Sequence, residues 1–205
     1  MTVDMGDLAL LVLAALCLVV FICLLVEVLK GKPMRIDRLC HSLFVEKLRS
    51  PALTVVMKAV SNLASAPFIV GALVAAFVWA PCRFWVVCAA VNVGTISAID
   101  QLLKVLVRRP QGFRLVEAPG LSFPSGHSMA AMAFYGYGIW LTQSAAGGFS
   151  SGLLITVVLA CVILAIGVSR IYLGVHYASD VLGGFCLASA WVVLFVRLTS
   201  WILAV

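Results

Sequence analysis

Apolar runs of membrane length, separated by short polar or glycine-rich breaks, organise this chain. Leu, Val, Ile, Ala and Phe dominate residues 8–29, 59–80, 84–107, 125–144, 153–172 and 177–203. A helix of about 20 apolar residues crosses the hydrocarbon core of a bilayer, so each run is long enough to span. Pro67 and Gly71 interrupt the second run, and a buried membrane helix tolerates both. The breaks are a Pro81-Cys82-Arg83 turn, the stretch Gly147-Gly148-Phe149-Ser150-Ser151-Gly152, and a turn at Gly174. Residues 30–51 differ. Lys30, Lys32, Arg35, Arg38, Lys47 and Arg49 are interspersed there with Ile36, Leu39, Leu43, Val45 and Leu48 at loosely helical spacing. That pattern predicts a short amphipathic helix lying on the membrane surface; a solvated basic loop is the alternative. The expected fold is all-α: a polytopic membrane bundle of six transmembrane helices, with the interfacial helix after the first, in one domain over 1–205.

Composition agrees with the pattern. Apolar residues make up 64% of the chain and charged residues 11%, against about half and a quarter in soluble domains. The net charge of +6 suits anionic headgroups or phosphorylated substrates. No basic arm or aromatic-basic surface points to nucleic acid, and no segment calls for a protein partner. Cys17, Cys23, Cys88, Cys161 and Cys186 lie inside apolar runs and form no Cys-x-x-Cys pair, so they read as small core hydrophobes. The residues before the first run include Asp4 and Asp7 but no lysine or arginine, which favours a retained span over a cleaved signal peptide.

Candidate chemistry gathers between residues 123 and 180. The stretch opens with Phe123-Pro124-Ser125-Gly126-His127, closes with Ser169-Arg170, His176 and Asp180, and holds two of the three histidines. Six alternating spans place the loop after the third, the start of the fourth and the turn between the fifth and sixth on one membrane face. The basic segment after the first span shares that face. Lys104, Arg109, Ser125, His127, Arg170, His176 and Asp180 can therefore meet there, and ionisable groups at span ends mark functional sites. Lys104, with Arg108 or Arg109, Arg114 and Arg170, offers positive charge. Ser125 and Gly126 stand at a helix start, where free N–H groups and the dipole favour an anion. Glycine also permits close backbone approach. Asp100 and Lys104 are spaced as a helical ion pair. Of two histidines beside a phosphate cradle, one can attack phosphorus and the other protonate the leaving oxygen. His176 and Asp180, four apart, would share a helical face, with the carboxylate fixing the ring tautomer. His127 lacks such a partner and suits the general acid. Two histidines and one aspartate at these spacings lack a usual metal-ligand pattern, so neither metal nor other cofactor is expected.

These residues resemble the type 2 phosphatidic acid phosphatase (PAP2) superfamily of integral membrane phosphatases. Pro124-Ser125-Gly126-His127 matches its second motif, and Ser169-Arg170 with His176 and Asp180 matches its third. The resemblance, closest to bacterial members, implies a metal-independent phosphohistidine mechanism. His176 would be the nucleophile, Asp180 its partner and His127 the acid, with Ser125, Gly126 and Arg170 holding phosphate. The first family motif, a lysine, six residues and Arg-Pro, is shortened here. Arg109-Pro110 follows Lys104 two residues early, and Gln111 stands at the family position. Lys104 and Arg109 are the expected phosphate ligands, with Arg108 and Arg114 as substitutes. The implied substrate is a membrane lipid phosphate: phosphatidic acid, phosphatidylglycerol phosphate or polyprenyl diphosphate. A phosphotransferase using the same histidine and a non-catalytic lipid-phosphate binder or transporter are the alternatives. The site is expected on the extracytoplasmic face of the cell membrane, as in similar bacterial phosphatases, although the basic first loop taken alone favours the cytoplasm.

Overall fold

The computed structural model describes residues 5–110, 120–145 and 149–203. Gln111, Arg114 and the Gly147-Gly148 break lie outside the described residues. The described chain is helical. Helix α1 (Met5–Leu29) is followed by the short α2 (Arg35–Cys40). A π-helical turn, His41–Lys47, continues α2. Next come α3 (Pro51–Asn62), α4 (Ala66–Trp79) and α5 (Arg83–Val107). Helices α6 (Gly126–Ala145), α7 (Phe149–Tyr172) and α8 (Ala178–Leu203) complete the bundle.

Among the described residues, α1, α5, α7 and α8 are each long and apolar enough to cross a membrane. Together they make a multi-pass membrane bundle. The run expected over 59–80 is not one straight helix. It begins inside α3, breaks, and resumes as α4, and the two axes bend by 49°. The cause is local. The Ser65 hydroxyl accepts from the Phe68 N–H at 3.4 Å and Pro67 sits in the first turn of α4. A proline is tolerated there but would cost a hydrogen bond inside a continuous helix. Taken together, α3 and α4 can form one broken span.

Helix α6 is the centre of the bundle, packed against α5, α7 and α8. Its small and polar residues face protein rather than lipid, so it needs less hydropathy than its neighbours. Ile96, Met129, Ala133, Tyr137 and Ala188 are buried between α5, α6 and α8. Trp140 and Trp191 pack on this cluster. The Trp191 indole N–H donates to Asn92 Oδ1 at 2.8 Å, which gives the buried amide oxygen its donor. Trp79 and Trp201 lie exposed at helix ends. Helix α1 rests on α8, and Asp7 pairs with Arg197.

Two features bring the chain ends of these helices into register. Arg108, at φ 52, terminates α5 in the left-handed region and turns the chain back toward the bundle. Gly184 lets α8 approach the start of α6: a Cβ there would stand 2.9 Å from the Ser125 carbonyl oxygen.

Candidate active site

The end of α5, the start of α6, the end of α7 and the start of α8 converge, and α2 joins them. His176 lies in the turn between α7 and α8, which Gly174 makes possible at φ 68. Its ring is 8% exposed. Nδ1 lies 2.8 Å from the Ser122 carbonyl oxygen and 3.6 Å from Asp180 Oδ2. The expected pairing of His176 with Asp180 is kept as a close contact, but His176 lies outside the helix. His176 precedes α8, so a backbone carbonyl is the closer acceptor and the carboxylate stands just beyond hydrogen-bond length. A carbonyl can only accept, which assigns the proton to Nδ1 and leaves the Nε2 lone pair free. Burial pushes the His176 pKa below the ordinary histidine range, while the negative charge of Asp180 pulls it back up. Burial dominates, which favours the neutral ring.

Asp180 is fully buried and held on three sides. Its Oδ2 accepts from the Tyr177 N–H at 2.8 Å, and its Oδ1 receives Arg109 at 2.5 Å. Its own carbonyl accepts from the Ser125 N–H at 3.0 Å, which ties the start of α8 to the start of α6. Ser125 thus also serves the structure, and its hydroxyl proton is left to donate. Its backbone donor goes to Asp180, and its hydroxyl accepts from Ser128 Oγ at 3.0 Å. Gly126 follows, packed against the Asp100–Lys104 ion pair of 2.6 Å. A Cβ on Gly126 would meet Asp100 Oδ2 at 2.7 Å and Lys104 Nζ at 3.1 Å. The backbone approach that glycine permits is thus used to bring the first turn of α6 onto this pair. First-turn N–H groups have no intrahelical acceptors.

His127, Lys104, Asp100 and Gly126 line the polar head of a cleft of about 540 Å³. Ile69, Val70, Leu73 and Val93 line the rest of it. Arg170 closes α7. One terminal nitrogen donates to Ser61 Oγ at 2.6 Å, while its buried Nε has no acceptor among the described residues. A buried donor without an acceptor costs about 1–3 kcal/mol, so Nε is set for an acceptor from outside the fold. Lys104 and Arg170 both lie within Coulombic range of His127 and His176. Among the described residues no three His, Cys, Asp or Glu side chains group as a metal-binding set.

Arg109 is placed apart from Lys104. It donates to Asp180 and Ser179 through one terminal nitrogen and to Asp37 Oδ2 through the other, at 3.0 Å. Asp37, Ser61, Ser122 and Ser179 are thus site residues that sequence reasoning missed. Only Asp37 left a signal, as the one acid among the basic residues of 30–45.

Residues 59–203 match the PAP2 superfamily. Over 97 residues the chain is 38% identical to phosphatidylglycerophosphatase B of Bacillus subtilis (strain 168), covering 46% of this chain and 48% of that protein. The match thus spans about half the length of that relative. The crystal structure of a transmembrane PAP2-type phosphatidylglycerolphosphate phosphatase from Bacillus subtilis superposes with a TM-score of 0.79. It shares 24% identity and covers 92% of this chain and 96% of its own. Aquifex aeolicus LpxE superposes with a TM-score of 0.61 at 21% identity, over 77% and 92% of the two chains. With the family matched across most of the chain, and the serine, glycine, histidine, arginine and aspartate of its motifs gathered at one end of the bundle, this protein belongs to the PAP2 superfamily.

Proposed function

We propose that the protein is a phosphatase that hydrolyses the phosphate or diphosphate ester of a membrane lipid through a phosphohistidine on His176, without a metal. The observation that carries this reading is the cleft. His127 and Lys104 stand at one end of it, beside the first turn of α6, and apolar residues between the helices line the rest, which leaves room for acyl or prenyl chains. A water-soluble phosphate ester needs no such lining. Similarity to proteins named for phosphatidylglycerophosphate hydrolysis supports the same class.

In this mechanism Nε2 of His176 attacks phosphorus as the bond to the lipid oxygen breaks, and His127 delivers a proton to that oxygen. Water then attacks the phosphohistidine, His127 takes its proton, and inorganic phosphate leaves with Nε2 restored. Lys104, the Arg170 guanidinium and the N–H groups of the first turn of α6, including Gly126, stabilise the equatorial oxygens as charge redistributes. Ser125 holds that turn against Asp180. Cationic and dipolar donors supply the charge that a metal supplies in other phosphatases.

The bundle takes six spans in this reading, with α3 and α4 together as the second and α6 as a buried fourth. Helix α2 and the turn after it lie at the membrane surface, and the site faces outward with both chain ends inside. The testing experiment is phosphate release from phosphatidic acid, phosphatidylglycerol phosphate and polyprenyl diphosphate, by wild type and by His176→Ala. Turnover and acid-labile labelling from a phosphate-labelled lipid are expected in wild type and absent in the variant. Wild-type rates in His176→Ala would reject the mechanism, and transfer to an added alcohol in place of water would make the protein a phosphotransferase.

A further inference from the structure

The resemblance assigns Arg109 to the phosphate, but its surroundings are those of a locked structural charge. Its side chain is 9% exposed, and those of Asp37 and Asp180 are 0% exposed. Both terminal nitrogens of the guanidinium are engaged, by Asp180 and Ser179 on one side and Asp37 on the other. The Tyr177 ring covers its face, with the guanidinium carbon 4.1 Å from the ring centroid. Asp37 is itself saturated. Its Oδ1 accepts from the Ser179 N–H at 2.9 Å, and its Oδ2 accepts from the Ser179 hydroxyl and the Met34 N–H, each at 3.0 Å. Moving Arg109 to a phosphate would strand two buried carboxylates, which is strongly unfavourable. Arg109 also lines a separate recess with Val28, Pro33 and Tyr177, not the cleft that holds Lys104 and His127.

The same residue governs both groups beside His176 Nδ1. Its side chain fixes Asp180, and its backbone carbonyl accepts from the Ser122 N–H at 2.8 Å. Ser122 in turn presents its carbonyl to Nδ1 at 2.8 Å. The shortened spacing after Lys104 has a physical consequence here. Helix α5 stops at Arg108, and the next residue turns inward to the start of α8 rather than reaching along the cleft.

We propose that Arg109 and Asp37 are positioning residues. Together they hold Asp180 and the Ser122 carbonyl against His176, and the helix after the first span thereby becomes part of the catalytic machinery. This rests on the reading of His176 as nucleophile. The clamped Arg109 holds the backbone that supports the Ser122 carbonyl, and that carbonyl fixes the Nδ1–H tautomer that leaves Nε2 able to attack.

The experiment compares Asp37→Asn, Arg109→Lys and the milder Ser179→Ala with Arg170→Lys, using a lipid phosphate that wild type hydrolyses. The first three are expected to lower kcat, by about tenfold or more for Asp37→Asn and Arg109→Lys, with KM and the inhibition constant of inorganic phosphate unchanged. Arg170→Lys should weaken phosphate inhibition. With 15N-labelled histidine, wild-type His176 should show a fixed Nδ1–H tautomer that becomes mixed in Asp37→Asn. Ser179→Ala, which keeps all three charges, serves if Asp37→Asn does not fold. A raised phosphate inhibition constant in Arg109→Lys would overturn the proposal, as would wild-type kcat and an unmixed tautomer in whichever of Asp37→Asn and Ser179→Ala folds. Loss of hydrolysis by wild type on every lipid phosphate would instead reject the phosphatase reading, and the tautomer measurement would still decide the positioning one.

Discussion

Gly184→Ala tests how much of the site depends on the close approach of α8 to α6. The added Cβ would stand 2.9 Å from the Ser125 carbonyl oxygen, 3.2 Å from Ser128 Cβ and 3.3 Å from Met129 Cγ. The nearest of these is backbone and cannot swing away. That carbonyl also accepts from the Met129 N–H at 3.0 Å, so the whole first turn of α6 must move, by a few tenths of an ångström. Overpacking of this kind costs about 1–3 kcal/mol. Alanine recovers about 1 kcal/mol through helix propensity, which leaves a net loss of about 0–2 kcal/mol. The catalytic effect should be larger than that suggests, because the displaced turn carries His127. A misplacement of 1 Å costs about 100-fold in rate, so a few tenths correspond to about 4- to 10-fold in kcat. The assay is phosphate release from lipid in detergent, with thermal unfolding of the same samples. Gly71→Ala is the control, since a Cβ there meets nothing within 4 Å; it should keep wild-type kcat and lose no stability. A Gly184→Ala protein with wild-type kcat would refute the claim that this contact sets the position of His127.

Further outcomes follow from the site. Burial lowers the His176 pKa and Asp180 raises it, so Asp180→Asn should move the acid limb of kcat/KM to lower pH while kcat falls; a limb that moves upward would contradict this. The same lipid serves both proteins, so the titration of the substrate phosphate cancels. Activity should persist in EDTA and be inhibited by vanadate, whose five-coordinate form resembles the phosphoryl transition state; magnesium-restorable loss in EDTA would exclude the cationic cradle as the sole charge source. With the native cysteines removed, a cysteine at Ser42 should react with an impermeant reagent on intact cells and one at Ser150 should not. The reverse pattern would put the site in the cytoplasmic leaflet.

The membrane class, the helical fold and the approximate position of every long helix followed from the apolar runs alone. A span is a local property: its length and composition are set by the bilayer whatever it packs against. The boundaries of α5 and α8 and the end of α7 were legible for that reason, as was the Asp100–Lys104 pair, which needs only helical spacing; α7 begins at Phe149, inside the stretch read as a break. The gathering of His127, Arg170, His176 and Asp180 at one end was also legible, because alternating spans fix which loops share a face. What packing decided was less visible. The bend between α3 and α4 turns on Ser65 and Pro67 acting together, and each alone is compatible with a continuous helix. The partner of His176 depends on where α8 begins, and a shift of two residues replaces Asp180 with the Ser122 carbonyl as the nearer acceptor. Asp37 is 142 residues from Ser179 in sequence and carries no motif, so only the docking of α2 onto the start of α8 reveals it. Arg109 shows the limit most plainly. Its residue type suits phosphate, but a guanidinium pairs with whatever carboxylates the fold buries beside it, and that choice is made by tertiary structure.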